Sequence, residues 1–410
     1  MKKSFYEKMY FPFTICLIGI LSYIMAVKLQ QIDWSDISVH VNFARDLFQG
    51  NLNEISAYPA FHLLYGLFRC FTHTGVAAAA FSYAFFSMLS AAAVYFISGM
   101  FFKSLSVFNE KLQCAVTLLI TMFGPIVFPG NGVPYYLGQG SFNAWHSPTN
   151  NAVKFAALLS FFAFSYLHGN NGADFVIAKK KINLKGQLIF LSAITFISLL
   201  CKPSFCQVFL PAVAIIILCD LVNKRITFKN AFLEVLAFVP AGLFLLWQFL
   251  KVFFISAAPD AGGGIMFQPF LVWSEYSGNI VVSILRAAAF PLFVFFFCYA
   301  GNKNKKPCLK YALIFYAVSV AEYALLAESG ERMSDGNFQW GMNLAIGIFF
   351  LSALFEFISW NISTFNGNED KAHIIKRVIS FFGCLLLSLH FLFGTWYYIE
   401  LMVTENIQYF

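Results

Sequence analysis

Apolar residues run through the chain in blocks long enough to cross a bilayer. A spanning helix needs about 20 mostly apolar residues, and such runs fall at about 10–27, 76–102, 112–128, 151–167, 186–201, 205–221, 231–254, 279–300, 310–327, 341–360 and 378–398. The pattern predicts an all-α polytopic membrane protein with about 11 transmembrane helices. Between the first two runs lies Asp33 to Pro59, DWSDISVHVNFARDLFQGNLNEISAYP. Here Ile37, Val41, Ala44 and Phe48 recur at helical spacing, with a start signal at Ser35 or Asp33 and a stop at Gly50. That predicts an amphipathic helix of roughly 14 residues lying on the membrane surface, apolar side down. The shorter apolar stretch from Pro59 to Phe71 carries His62 and Arg69, and is read as a second interfacial or re-entrant helix.

Composition agrees with this architecture, since 59% of residues are hydrophobic and 11% charged, against roughly 25% charged in soluble domains. The net charge of +7 does not point to nucleic acid, because the cations sit in loops between apolar runs. With the N-terminus cytoplasmic, most of the 27 basic residues fall inside, among them Lys2, Lys3, Lys103, Lys179, Lys224, Arg225, Lys303, Lys306 and Arg377. The outer side receives Asp33, Asp36, Asp46, Glu54, Asp260, Glu275, Glu328, Glu331 and Asp335. This is the asymmetry that the positive-inside rule requires; a full span at Pro59 to Phe71 would invert every later loop. The run after Lys2 and Lys3 lacks a small-residue cleavage site and is read as a retained first helix. None of the nine cysteines has CxxC spacing, and Cys201 and Cys206 read as small apolar residues. With no internal repeat or soluble segment, residues 1–410 form a single transmembrane domain.

The candidate chemistry falls on the outer side. In a helix Asp36 and His40 stand one turn apart on one face, and Tyr58 and His62 follow close behind. A second outer stretch, PGNGVPYYLGQGSFNAWHSPTNNAVK from Pro129 to Lys154, has too many Gly and Pro residues for a regular helix. Its Tyr135, Tyr136, Phe142, Trp145 and His146 offer aromatic faces of the kind that hold sugars, or an interfacial belt. A third stretch, Glu328 to Trp340, places Glu331, Arg332 and Asp335 in one short turn-rich segment, where Arg332 could bind phosphate or pair locally. Within the apolar runs Lys154, Lys202, Arg286 and Glu322 stand out, because ionisable groups at membrane depth need a cavity or a partner. Snorkelling explains Lys154 and Lys202, near outer helix ends; Arg286 is deeper, and Glu322 or an anionic head group is its expected partner.

A carboxylate able to take a proton from a hydroxyl, beside cations able to stabilise a phosphate, is the equipment for glycosyl transfer from a lipid phosphate. The order of first span, outer loop with Asp36 in WSDISVHVNFARDLFQG, and Tyr58-Pro59 before a second short helix resembles the GT-C superfamily of integral membrane glycosyltransferases. That superfamily includes protein and glycolipid mannosyltransferases and bacterial aminoarabinose transferases. The resemblance implies a GT-C-like fold, with interfacial helices in the first outer loop, and Asp36 as the catalytic acidic residue. It covers about residues 10–75 in motif and the remainder in architecture. Many members carry adjacent acidic residues where this chain has Ser35-Asp36, and many have an outer soluble C-terminal domain.

The expected function is transfer of a sugar from a polyprenyl-phosphate donor to an envelope glycan or lipid-linked acceptor, on the extracytoplasmic side of a bacterial plasma membrane. Asp36 and His40 are the expected catalytic pair. Tyr58, His62, Tyr135, Tyr136, Trp145, His146, Glu331 and Asp335 are the expected substrate contacts, and Arg286, Lys202, Arg332 and Lys154 the cations for the donor phosphate. No cofactor is required, although Asp36 and His40 are a pair that a divalent metal could use. A Wzy-like polysaccharide polymerase would depend on outer-loop arginines instead. A lipid or solute transporter would need no carboxylate, but should show paired broken helices at mid-membrane.

Overall fold

The computed structural model of the chain describes residues 5–32, 35–50, 57–105, 109–128, 135–173, 175–177, 180–252, 264–300, 307–365 and 371–404. Asp33, Glu54, Lys179, Lys303, Lys306, Asp260 and the start of the second outer stretch (129–134) lie outside the described residues, as does the side chain of Glu331. The fold is all-α, 81% helical. Among the described residues, ten helices are long and apolar enough to cross a membrane.

Helix α1 (Phe5–Leu29) leads into two short helices, α2 (Asp36–Phe48) and α3 (Ala60–Arg69), and then into α4 (Gly75–Ser104). After α5 (Glu110–Met122) and the single turn α6 (Tyr136–Gln139) come α7 (Pro148–Gly169), α8 (Leu184–Cys201), α9 (Ser204–Val222) and α10 (Phe228–Leu250). The short α11 (Leu271–Tyr276) precedes α12 (Ile280–Val294), α13 (Cys308–Leu325), α14 (Gln339–Phe365) and α15 (Lys371–Val403). Two antiparallel ribbons interrupt the helices. In one, β1 (Phe175–Ile177) pairs with β2 (Lys180–Ile182), Phe175 opposite Ile182. In the other, β3 (Ile265–Phe267) pairs with β4 (Leu326–Glu328), Ile265 opposite Glu328. Helix α14 runs through the middle of the bundle, with Asn343, Leu344, Phe349 and Leu351 wholly buried. Cys201 and Cys206 are both free thiols.

The expected count of eleven helical spans is corrected at 112–128. Helix α5 has only 13 residues, about 20 Å, and Phe123 at its end is already extended (φ −68°, ψ 152°). Pro125 follows, and a proline so placed cannot continue the helix. Residues 123–128 follow as non-helical chain that bends at 126–127, where Val127 donates its N–H to the Pro125 carbonyl at 2.9 Å, and the run is not among the ten candidate spans. Such backbone survives at membrane depth only where protein groups satisfy it. Asn143 Nδ2 donates to the carbonyls of Ile120 and Phe123, both at 3.0 Å. Gly124 donates its N–H to the His390 carbonyl on α15 (3.0 Å), and its own carbonyl accepts from His390 Nδ1 at 2.7 Å.

Helix α12 supplies the remaining partners because Pro291 kinks it. A proline displaces the carbonyl one turn before it, and Ala288 takes non-helical angles (φ −115°, ψ 15°). The Arg286 carbonyl, turned out of its helix, accepts from Ile126 N–H at 2.9 Å. The Phe290 N–H, which a regular helix would have used on that carbonyl, donates to His390 Nε2 at 3.3 Å. Two glycines let the strand pass α15, for a Cβ on Gly394 would lie 1.9 Å from the Met122 carbonyl oxygen.

At one end of the bundle a charged network joins four helices. His168 of α7 has Nδ1 2.7 Å from Glu234 Oε2 of α10 and Nε2 3.3 Å from Asp220 Oδ2 of α9. Asp220 also accepts from the Tyr311 hydroxyl at 2.8 Å and from Arg225 at 3.1 Å. Lys181, Lys185, Lys224, Lys229 and Lys310 belong to this end, the one that the charge pattern is expected to place in the cytoplasm. At the opposite end Gln248 of α10 donates to the carbonyls of Ala57 and Leu199, both at 2.8 Å, which ties α3's approach to the end of α8. Breaking a buried ion network by removing one partner costs about 3 kcal/mol or more. Glu234→Ala should therefore lower the unfolding midpoint of the purified protein by several degrees, and an unchanged midpoint would mean that the network contributes nothing.

Candidate functional site

Asp36 and His40 stand one turn apart on α2, as their spacing predicts. The cap is Ser35, whose Oγ accepts from the Ile37 N–H at 3.3 Å; Asp36 is the first helical residue, half-buried. The stripe of Ile37, Val41 and Ala44 is buried, but it faces α3, α4 and α7 rather than lipid. Phe48, expected in that stripe, is exposed, as are Val39 and Phe43. The helix therefore packs onto protein and turns a different apolar face outward.

His40 is buried, with Nδ1 3.0 Å from His62 Nε2 on α3 and Nε2 3.5 Å from Thr149 Oγ1 at the start of α7. Tyr58 lies edge-on to the His40 ring at 6.3 Å. A hydrogen bond between two imidazoles needs one nitrogen to donate and the other to accept. Burial, reinforced by His62 and the Lys202 charge, holds His40 well below the usual histidine range. Burial lowers His62 to about 4. Both rings are thus neutral at pH 7, and His40 does not balance the charge of Asp36. Nor does it have a free nitrogen for a metal, and among the described residues no three His, Cys, Asp or Glu side chains group to hold one.

The cation of the cluster is Lys202. It stands extended (φ −167°, ψ 134°) in the turn between α8 and α9, where Pro203 prevents one continuous helix. Its side chain is buried, not snorkelling: Nζ lies 3.4 Å from Ser147 Oγ and 3.8 Å from the centre of the Trp340 ring. Burial lowers its pKa to about 7, against the pull of Asp36 in the other direction. His146, packed against Tyr136 and Trp340 with ring centres 4.4 and 5.6 Å away, is lowered to about 4 by burial, with Asp36 raising it and Lys202 lowering it. Burial raises the Tyr136 hydroxyl, with Asp36, Tyr276 and Asp335 adding to the effect. Asp36 thus acts on Lys202, His146 and Tyr136, and Lys202 acts on His146.

The geometry follows from where helices begin. Asp36 opens α2, Ser147 precedes α7, Lys202 precedes α9, and Trp340 is the second residue of α14. Helix N-termini carry partial positive charge, so a carboxylate and one buried lysine sit among several positive ends. In the first turn of α7, the Asn150 amide is buried and has no hydrogen-bond partner among the described residues.

The second outer stretch differs from expectation in its exposure. Tyr135, Tyr136, Phe142 and Trp145 are all buried. Tyr135 stacks on Tyr397 at 3.7 Å, Phe142 on Phe123 at 6.0 Å, Tyr136 on Trp340 at 5.4 Å, and Trp145 meets Tyr398 edge-on at 5.2 Å. They are neither a surface platform nor an interfacial belt, because the backbone of this loop is bonded into the bundle. Tyr323 and Trp273 donate to the carbonyls of Leu137 and Gly138 at 2.8 Å each. The Gln339 amide bonds the Tyr136 carbonyl, and Ser141 donates its N–H to Asn343 Oδ1 at 2.9 Å. Gly140 takes a left-handed φ of 82°, and a Cβ there would lie 2.6 Å from Met342.

The other expected cations are not in this cluster. Lys154 does not snorkel either; its Nζ donates to Asn143 Oδ1 at 3.1 Å and lies 4.7 Å from the Phe142 ring centre. It lines a small polar chamber with Ser22, Ser87, Ser90, Trp145 and Asn151. Arg332 is exposed and paired locally, 3.4 Å from Glu328 and 3.4 Å from Asp335. Arg286 is half-buried, and no ion pair joins it to Glu322 among the described residues. Sequence reasoning missed Ser147, Thr149 and Trp340, whose only signal was their position at helix starts. The chain matches no known family profile and no curated protein.

The histidines make stability depend on pH in a definite direction. A folded pKa of about 4 for His62, below its unfolded value of about 6.5, means that its contribution is complete above pH 6.5. It is lost as pH falls towards 4, by up to about 3 kcal/mol. The unfolding midpoint should fall over that interval in wild type and fall less in His62→Gln. Equal pH profiles for the two proteins would contradict the assignment.

Proposed function

We propose that the chain is a membrane glycosyltransferase of the GT-C type, moving a sugar from a polyprenyl-phosphate donor to an envelope glycan or lipid-linked acceptor on the outer face. What supports this reading is a half-buried carboxylate, Asp36, opening α2 and a buried lysine, Lys202, in the turn before α9, with the charge of the first acting on the second. The donor's polyprenyl chain stays in the bilayer and its phosphate meets Lys202. The acceptor hydroxyl attacks the anomeric carbon and gives its proton to Asp36. The bond between that carbon and the phosphate oxygen breaks, its electron pair stays on the phosphate, and Lys202 and the helix N-termini stabilise the charge. Because Lys202 has its pKa lowered to about 7, an arriving phosphate would raise it, and binding would take up a proton. The neutral His40–His62 pair holds α2 against α3 and α7, and so positions Asp36.

The substitution that separates chemistry from structure is Asp36→Asn. Ser35 already caps α2, so loss of the Asp36 charge costs helix stability only about 0.3 to 1 kcal/mol. Protein levels in the membrane should be normal, while transfer from a labelled polyprenyl-phosphate sugar drops by about 100-fold or more, as for loss of a general base. Transfer at the wild-type rate would refute the catalytic assignment.

A further inference from the structure

Two arginines outside the Asp36 cluster meet at a groove on the outer side. Arg45 lies in the last turn of α2 and Arg69 in the last turn of α3. The groove between them, about 470 Å³, is also lined by Phe48, Gln49, Tyr65 and Gly75. Both arginines are exposed, and neither takes part in an ion pair among the described residues, whose pairs involve His168, Arg225, Lys310 and Arg332. Arg69 Nη1 donates to the Thr72 carbonyl at 2.7 Å, which holds that guanidinium at the groove's edge with donors to spare.

The groove has a third and a fourth donor. Tyr65 is 3% exposed, yet its hydroxyl points into this space and has no hydrogen-bond partner among the described residues. Helix α4 begins at Gly75, whose first-turn N–H groups have no carbonyl within the helix to bond; Thr74 Oγ1 accepts only that of Ala77. A Cβ on Gly75 would lie 2.9 Å from the Tyr65 hydroxyl and 3.5 Å from Arg45 Nη2. The absent side chain thus leaves the helix end, the hydroxyl and the guanidinium facing one space. Two like charges, an unpartnered hydroxyl and a helix N-terminus are together the recognition chemistry of a phosphate group.

The surroundings decide where that phosphate comes from. Leu63, Leu67 and Phe71 on and after α3, Phe43 and Phe48 on α2, and Val76 at the start of α4 are all exposed apolar side chains. Short helices with such faces lie at the boundary between acyl chains and head groups. We propose that the groove binds the phosphate of an anionic lipid head group, through Arg45, Arg69, the Tyr65 hydroxyl and the N-terminus of α4. Arg45 is nine residues along α2 from Asp36, about 13 Å, so this is a second site, independent of the sugar-transfer reading.

The test uses the full-length protein and two phosphate sources. Phosphatidylglycerol binding is measured by native mass spectrometry, and the unfolding midpoint in nanodiscs of phosphatidylcholine with and without phosphatidylglycerol. Inorganic phosphate is titrated into the detergent-solubilised protein in parallel. Phosphatidylglycerol should bind wild type and raise its midpoint. Arg45→Gln and Arg69→Gln should each weaken binding about tenfold, the size of one charge-assisted hydrogen bond, and Arg45→Lys should recover part of the loss. Both positions are exposed, so the single variants should fold as wild type does. Unchanged lipid binding in the two Gln variants would overturn the site. Equal stabilisation by inorganic phosphate and by the lipid would overturn the head-group assignment.

Discussion

The structure depends on satisfying a stretch of irregular backbone buried in the helical bundle. Residues 123–128 and 140–147 are non-helical, and buried peptide groups away from water need partners. Each exit from helix is met by a specific side chain: Asn143 at the end of α5, His390 at Gly124, Gln339 at Tyr136, Asn343 at Ser141. The Pro291 kink in α12 frees one carbonyl and one N–H, and the first is taken by Ile126 and the second by His390. His390 accepts at Nε2, so its proton is on Nδ1, which donates to Gly124. The bonds that let a helix break also fix the loop that presents Tyr136, His146, Ser147 and Thr149 to α2.

Electrostatics then single out one pair. Of the titratable groups brought together around Asp36, the three imidazoles are driven neutral by burial. Lys202 is poised near neutrality, and Asp36 stays at the half-exposed edge. A carboxylate and a lysine are the two groups that the proposed reaction uses, one for the proton and one for the phosphate. Cation–π contact with Trp340 and the Ser147 hydroxyl hold the ammonium without neutralising it. Its capacity for an anionic ligand is therefore unspent.

Much of this was legible in the chain, where the physics is local. The spacing of Asp36 and His40, the length of α3 and the Gly50 stop follow from helix geometry. The run at 112–128 misled because Phe, Ile and Val are equally apolar in helix and in extended chain; only Pro125 marked the break. Gly and Pro density announced a loop after Pro129 but could not say whether its aromatic rings face solvent or protein. Lys154 and Lys202 were visible as charges near helix ends, and their burial was not, because it depends on Asn143, Trp340 and Ser147 arriving from distant parts of the chain. His168, Asp220 and Glu234 come from three helices, and a pattern along one helix carries no trace of such a meeting.

The central claim is that Asp36 and Lys202 hold the reacting ends of one donor and one acceptor. A cryo-EM structure of the protein with a non-hydrolysable polyprenyl-phosphate sugar tests it most directly. The phosphate should lie within hydrogen-bond reach of Lys202 Nζ, with the anomeric carbon between it and the Asp36 carboxylate. Donor density elsewhere, with Lys202 still resting on Trp340 and Ser147 and no ligand near Asp36, would contradict it.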